Sequence, residues 1–159
     1  VSILHRWLNQ RRWLLWVATL VYFAALLRVI LFKYSHSFQV MLGSVDRPPL
    51  SERIRFINLV PFRSIAFYLT TDLNPWIAVE NLAGNLLAFV PLGFLVPLLF
   101  PRLNKGWHTA AVSFAVSLSL EMVQLLTAMG QFDIDDLLVN VLGAIVGWML
   151  LRGLVRVGI

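Results

Sequence analysis

Four apolar runs, each close to 20 residues long, restrict this chain more than any other feature of its sequence: 13–32, 82–100, 109–128 and 136–154. A bilayer core of ~30 Å takes ~20 helical residues, so each run is long enough to cross it. Hydrocarbon offers no partner for a backbone N–H or C=O, which leaves the helix as the natural form for such segments. The fourth run reaches full length because Arg152 can carry its charge to the headgroups from a helix end. The runs predict an all-α, polytopic membrane helical bundle of four transmembrane helices, folded as a single domain over residues 1–159. Composition agrees, with 59% hydrophobic and 13% charged residues, far from a soluble domain. The run from Trp13 to Phe32 exceeds a signal-peptide core and is read as a retained helix.

The remaining chain is mostly one long loop, 33–81, broken by Pro48, Pro49, Pro61 and Pro75. Within it Arg53, Arg55 and Arg63 alternate with Ile54, Phe56, Ile57, Phe62, Ile65 and Phe67. That mixture predicts interfacial helical segments lying in the membrane surface. Basic residues set the orientation. Arg6, Arg11, Arg12, Arg102, Lys105, Arg152 and Arg156 fall on one side, and loop 129–135 on the other carries no Lys or Arg. Loop 33–81 carries five, Lys33 included, but long loops influence orientation less. Both termini are therefore expected in the cytoplasm, with loops 33–81 and 129–135 external. The basic residues lie in short groups at run ends, not in one patch, so no nucleic-acid partner is expected.

Polar residues inside the runs fall toward the external side. Ser113, Ser117, Glu121 and Gln124 form one stripe on the third span; Asp133, Asp136, Asn140, Gly143 and Gly147 form another on the fourth. Asn81 and Asn85 lie one turn apart at the external end of the second span, and Arg28 near that of the first. Each has a structural explanation to weigh. Gly143 and Gly147 form a small-residue face for a neighbouring helix, in this chain or in a second copy. Asp136 is placed to cap the fourth helix. Asn81 and Asn85 can join helices by hydrogen bonds. Arg28 can reach outward to the headgroups. Pro91 and Pro97 are expected to kink or unwind the second span. Glu121 fits structure alone least well, because a charged side chain at mid-helix costs about 2.5–3.5 kcal/mol to insert. Arg28 is its expected counter-ion.

With no Cys in the chain and with His5, His36 and His108 scattered, thiol chemistry, a His-based zinc site and a Ser–His dyad are set aside. Four carboxylates remain (Glu121, Asp133, Asp135, Asp136), beside the amides Asn81, Asn85, Gln124 and Asn140 and the arginines Arg28 and Arg63. Such a set could hold a divalent cation through Asp133, Asp135 and Asp136, or supply Glu121 or Asp136 as a catalytic acid or base. It could equally bind a cationic or sugar-like headgroup without reaction.

The motifs Asn58-Leu-Val-Pro61-Phe62, Asn81-x-x-x-Asn85-x-x-x-Phe89-x-Pro91-x-Gly93 and Glu121-x-x-Gln124 are followed by Phe132-Asp133-Ile-Asp135-Asp136-x-x-x-Asn140-x-x-Gly143-x-x-x-Gly147. Together, over about residues 55–150, they resemble the VanZ-like family. Members often carry an Arg just ahead of the Asp cluster. Here that stretch reads Ala128-Met-Gly130-Gln131, so the role passes to Arg28 or Arg63 or is missing. The resemblance implies a bacterial cytoplasmic-membrane protein associated with resistance to teicoplanin, a lipoglycopeptide that binds peptidoglycan precursors at the outer membrane face. It also adds Asn58 to the site.

The leading expectation is a pocket in the outer leaflet, built from Arg28, Asn58, Asn81, Asn85, Glu121, Gln124, Asp133, Asp136 and Asn140. It would bind the headgroup of a lipid-linked precursor or lipoglycopeptide. The main alternative is a metal-assisted hydrolase or transferase acting on lipid phosphates. A transporter is disfavoured, since the strongly polar groups stop in the outer half, and a purely structural role would leave the polar positions replaceable.

Overall fold

The computed structural model describes residues 12–31, 39–40, 42–44, 46–71 and 75–157; His5, Arg6, Arg11, Phe32, Lys33 and His36 lie outside the described residues. Among the described residues six named α-helices follow in order: α1 (Arg12–Leu31), α2 (Leu50–Arg53), α3 (Arg63–Thr70), α4 (Pro75–Leu99), α5 (Gly106–Thr127) and α6 (Ile134–Arg156). Short 3₁₀ turns occupy Ile54–Phe56 and Pro101–Leu103. Helices α1, α4, α5 and α6 are long and apolar enough to cross a membrane, and no named strand occurs among the described residues. The four expected spans are therefore present, and the short helices α2 and α3 fall in the loop between the first two.

Several span boundaries differ from the sequence reading, two of them for evident local reasons. The second span starts at Pro75, not at 82. A proline with φ preset for the helix is well suited to the first helical position, where its missing N–H costs nothing. The fourth starts at Ile134, and its cap is Asp133, whose carboxylate accepts the Asp135 N–H at 2.9 Å. Asp136 lies inside the first turn and is not the cap. Helix α4 also runs unbroken through Pro91 and Pro97, so neither proline unwinds it. Helix α5 closes on Ala128, left-handed at φ 63°, whose N–H returns to the Gln124 carbonyl.

The tightest joint in the bundle is α4 against α6. A Cβ added to Gly143 would lie 2.1 Å from the Leu86 carbonyl oxygen, and one on Gly147 would lie 2.0 Å from that of Val90. From the other side, a Cβ on Gly93 would meet the Ala144 carbonyl oxygen at 2.1 Å. Glycine is required at all three positions because the backbones themselves are in contact. The Gly143/Gly147 face is thus occupied by α4 of the same chain. Of the two neighbours the sequence allows for this face, a helix of the same chain is the one packed on it here.

Leu26, Ile30, Phe89, Leu92, Val96, Leu120 and Ala144 form the buried core among these four helices. Outward positions such as Leu20, Leu87, Phe114 and Leu142 stay exposed, as a helix bathed in lipid requires. Tyr22 donates its hydroxyl to the Ala88 carbonyl at 3.0 Å, and Arg12 donates Nη2 to the Leu99 carbonyl at 3.2 Å, tying α1 to α4. Arg12, Arg102, Lys105, Arg152 and Arg156 gather at one end of the bundle, where α4 and α6 finish. The acidic stripe of α6 begins at the other.

Candidate functional site

The site is assembled by a pairing that local sequence does not announce. Asn58 forms an isolated parallel bridge with Asp133: its N–H donates to the Phe132 carbonyl at 2.9 Å, and its carbonyl accepts from Ile134 N–H at 3.0 Å. The Asn58 amide then locks the join. Its Nδ2 donates to Asp133 Oδ1 at 2.9 Å and to Ser64 Oγ at 3.0 Å, and its Oδ1 accepts the Val60 N–H at 3.1 Å.

Asp135 completes the attachment. Its carboxylate accepts the backbone N–H groups of Phe62 at 2.5 Å, Ser64 at 2.7 Å and Ile65 at 3.2 Å. These are donors that the start of α3 would otherwise leave unpaired, and Phe62, left-handed at φ 66°, supplies no side-chain cap of its own. A carboxylate from one helix thereby caps another, and at 1% exposure it needs those partners. The Ser64 hydroxyl also donates to Asp133 Oδ2. Both oxygens of Asp133 and both of Asp135 therefore serve the loop.

Glu121, 2% exposed on α5, accepts the backbone N–H of Asp133 at 2.9 Å. It thus braces the start of α6 from within the bundle. Gln124, one turn nearer the end of α5, donates to the Ile30 carbonyl at 3.1 Å and holds the last turn of α1. Asn140 donates Nδ2 to Ser117 Oγ at 2.9 Å, and its backbone carbonyl accepts from Ser113 Oγ at 3.4 Å. The polar stripes of the third and fourth spans are in this way joined to each other.

Around these contacts lies a cavity of about 900 Å³ at the loop end of the bundle. The spans contribute Asn81, Asn85, Glu121, Gln124, Asp136 and Asn140 to its wall, and the loops contribute Arg53, Arg55, Asn58, Arg63, Ser64 and Asp133. Of the expected pocket, only Arg28 is elsewhere; it is exposed in the last turn of α1 and lines no part of the cavity. The described residues contain no group of three or more His, Cys, Asp or Glu placed to hold a metal ion. The Asp133-Asp135-Asp136 set does not fit a divalent cation here, because the first two carboxylates are turned to the loop.

The sequence reading uses Arg53 and Arg55 for the interfacial segments and the charge count, not for the pocket, and passes over Ser64. All three line the cavity. Arg53 also donates Nη1 to the Leu125 carbonyl in the last turn of α5, a favourable place for a cation. The signal available was the alternation of arginines with apolar residues just ahead of Asn58, which presents one side of the segment to water and the other to lipid.

No curated protein and no solved structure matches the chain. The family model described as VanZ/LLP1 matches residues 19–156, most of the sequence and every wall of the cavity. With most of α1, the other three spans, the loop pairing and the cavity inside the matched region, the chain belongs to the VanZ/LLP1 family.

Proposed function

We propose that this protein binds the polar headgroup of a lipid-linked molecule in the cavity at the loop end of its bundle. The observation that carries this reading is the composition of one wall: Asn81, Asn85, Glu121, Asp136 and Asn140 face a common space of about 900 Å³ from within membrane-spanning helices. Polar groups are costly in hydrocarbon and mark a binding or transport path. The volume is in the range of pockets that enclose a ligand the size of a headgroup. Membrane lipids supply such molecules, and lateral access from the bilayer keeps their tails in hydrocarbon.

With the loop end outside the cytoplasmic membrane, as the basic residues at the opposite end support, the occupant is a peptidoglycan precursor or a lipoglycopeptide of the teicoplanin type. Binding either would lower the drug's effect. The test is a susceptible bacterial strain expressing the wild-type chain or Glu121→Gln, with membrane levels of the protein matched. Teicoplanin tolerance that rises with the wild-type chain and falls back with the variant is the expected result. Equal tolerance, together with equal capture of a photoactivatable lipid-linked precursor, would remove the proposal.

A further inference from the structure

Two buried polar atoms on the cavity residues have no hydrogen-bond partner among the described residues, and they are of opposite kinds. Asn140 Oδ1 is an acceptor and Arg53 Nε is a donor. Both residues line the cavity. Asn140 is 2% exposed and lies roughly 9 Å along α6 from its start, while Arg53 belongs to the loop at the surface end. A buried polar group without a partner is a standing cost of folding, since its desolvation is not offset. Two such groups at separate levels of one cavity match a molecule that brings an acceptor to one and a donor to the other.

The surroundings say which acceptor and which donor. Arg53 is joined on the cavity wall by Arg55 and Arg63, so three guanidinium groups come from the loop. Their planar forks suit phosphate better than any neutral acceptor. Arg53 is already oriented by the bond from Nη1 to the Leu125 carbonyl. The carboxylates of Asp133 and Asp135 do not neutralise this wall freely, because their oxygens accept from the loop backbone, Asn58 and Ser64; Glu52, Glu121 and Asp136 also line the cavity, and Glu121 is turned to the Asp133 N–H. On the inner side, Asn140 Nδ2 donates to Ser117 Oγ at 2.9 Å, which leaves Oδ1 as the unmatched end of the amide. An acceptor fixed in this way asks for a hydroxyl or an N–H.

The geometry points to a ligand class narrower than the headgroup binding proposed above, on which it rests: a phosphate ester that also carries a hydroxyl or amino donor, with the phosphate at Arg53, Arg55 and Arg63 and the donor at Asn140 Oδ1. A phosphate lacking such a donor fills only the outer half, and a sugar lipid lacking phosphate fills only the inner half. The same chemistry has two sources in a bacterial membrane, a glycosyl polyprenyl phosphate and a phosphoethanolamine lipid.

The experiment uses the full chain in nanodiscs and four fluorescent lipid probes of matched tails. They carry phosphocholine, phosphoethanolamine, a glycosyl phosphate, or a glycosyl group without phosphate. At least one of the two probes holding both groups should bind about tenfold or more tighter than either of the others, in line with the loss expected when a buried partner is left unmatched. Whichever of those two is preferred identifies the source. Asn140→Asp keeps the acceptor and should keep the preference. Asn140→Leu should bring it below about twofold by weakening the dual probes, while the conservative Asn140→Asp retains it, a pattern that a merely structural role would not produce. If Asn140→Leu does not fold, the four wild-type affinities still decide. Wild-type protein that binds phosphocholine as tightly as both dual probes overturns this inference and leaves headgroup binding standing. Binding of none of the four overturns both.

Discussion

The Asp135 carboxylate accepts the backbone N–H of Ser64 at 2.7 Å, so a residue in the first turn of α6 caps the start of α3. Because Phe62 and Ile65 donate to the same carboxylate, one side chain holds the whole entry to α3. Asp135→Ala should cost about 1–3 kcal/mol, the scale for leaving buried donors unpaired. Asp135→Asn should cost less, since one acceptor oxygen remains. Hydrogen exchange at residues 62–65 is the sharper measurement. Fast exchange there in Asp135→Ala, with α4 and α6 still protected, is the expected result, and unchanged protection would show that the cap is not what orders the segment.

Glu121 separates a fold role from a binding role. Its oxygen accepts the Asp133 N–H at 2.9 Å, and Gln in its place retains a carbonyl oxygen for that bond. Glu121→Gln should therefore unfold within a few degrees of the wild-type chain in detergent. Glu121→Leu leaves the Asp133 N–H unpaired in a buried site and should lose about 1–3 kcal/mol. Thermal unfolding followed by tryptophan fluorescence distinguishes the two variants. Equal, large losses in both would mean that the charge itself supports the fold.

The α4–α6 joint leaves no tolerance at its centre. Gly143→Leu drives a side chain into the Leu86 carbonyl, where even a Cβ would stand at 2.1 Å, and the helices must separate. The expected outcome is loss of more than about 3 kcal/mol, seen as absence of a monodisperse peak in size-exclusion chromatography. Gly153→Ala is the matched control. It lies on the same helix with nothing within 4 Å of the added Cβ, and should gain up to about 1 kcal/mol from helix propensity. A folded Gly143→Leu protein would mean that α4 and α6 pack at another angle.

What the sequence made legible divides along the same line as local and long-range forces. Span number follows from hydrocarbon thickness, and the stripes Ser113 to Gln124 and Asp133 to Gly147 follow from helical spacing. Both are local and both match the structure. Span edges were less legible where polar residues could serve either phase. Asn81 was read as the external end of the second span, yet α4 continues outward to Pro75. Asp136 looked like a cap by composition, while Asp133 held that position by its extended backbone. The Asn58 to Asp133 bridge had no sequence signature, because a single pair of backbone hydrogen bonds between distant segments imposes no periodicity. Arg28 is exposed on α1 and is not among the cavity's lining residues, a placement that its charge alone does not indicate.

Sidedness is the final prediction, and the absence of cysteine makes it straightforward to read. Leu59 is exposed at the cavity end, and Arg102 is exposed in the turn between α4 and α5 at the other. Basic residues in short loops favour the cytoplasm. Arg102 and Lys105 share such a loop, with Arg12, Arg152 and Arg156 at the same end. Leu59→Cys should therefore react with a membrane-impermeant maleimide in intact cells, and Arg102→Cys only after the membrane is opened. The reverse pattern would place the cavity at the cytoplasmic leaflet. Peptidoglycan precursors at the outer face could then not reach it, whereas phosphate-bearing lipids of the inner leaflet could, and the headgroup it holds would have to be sought among them.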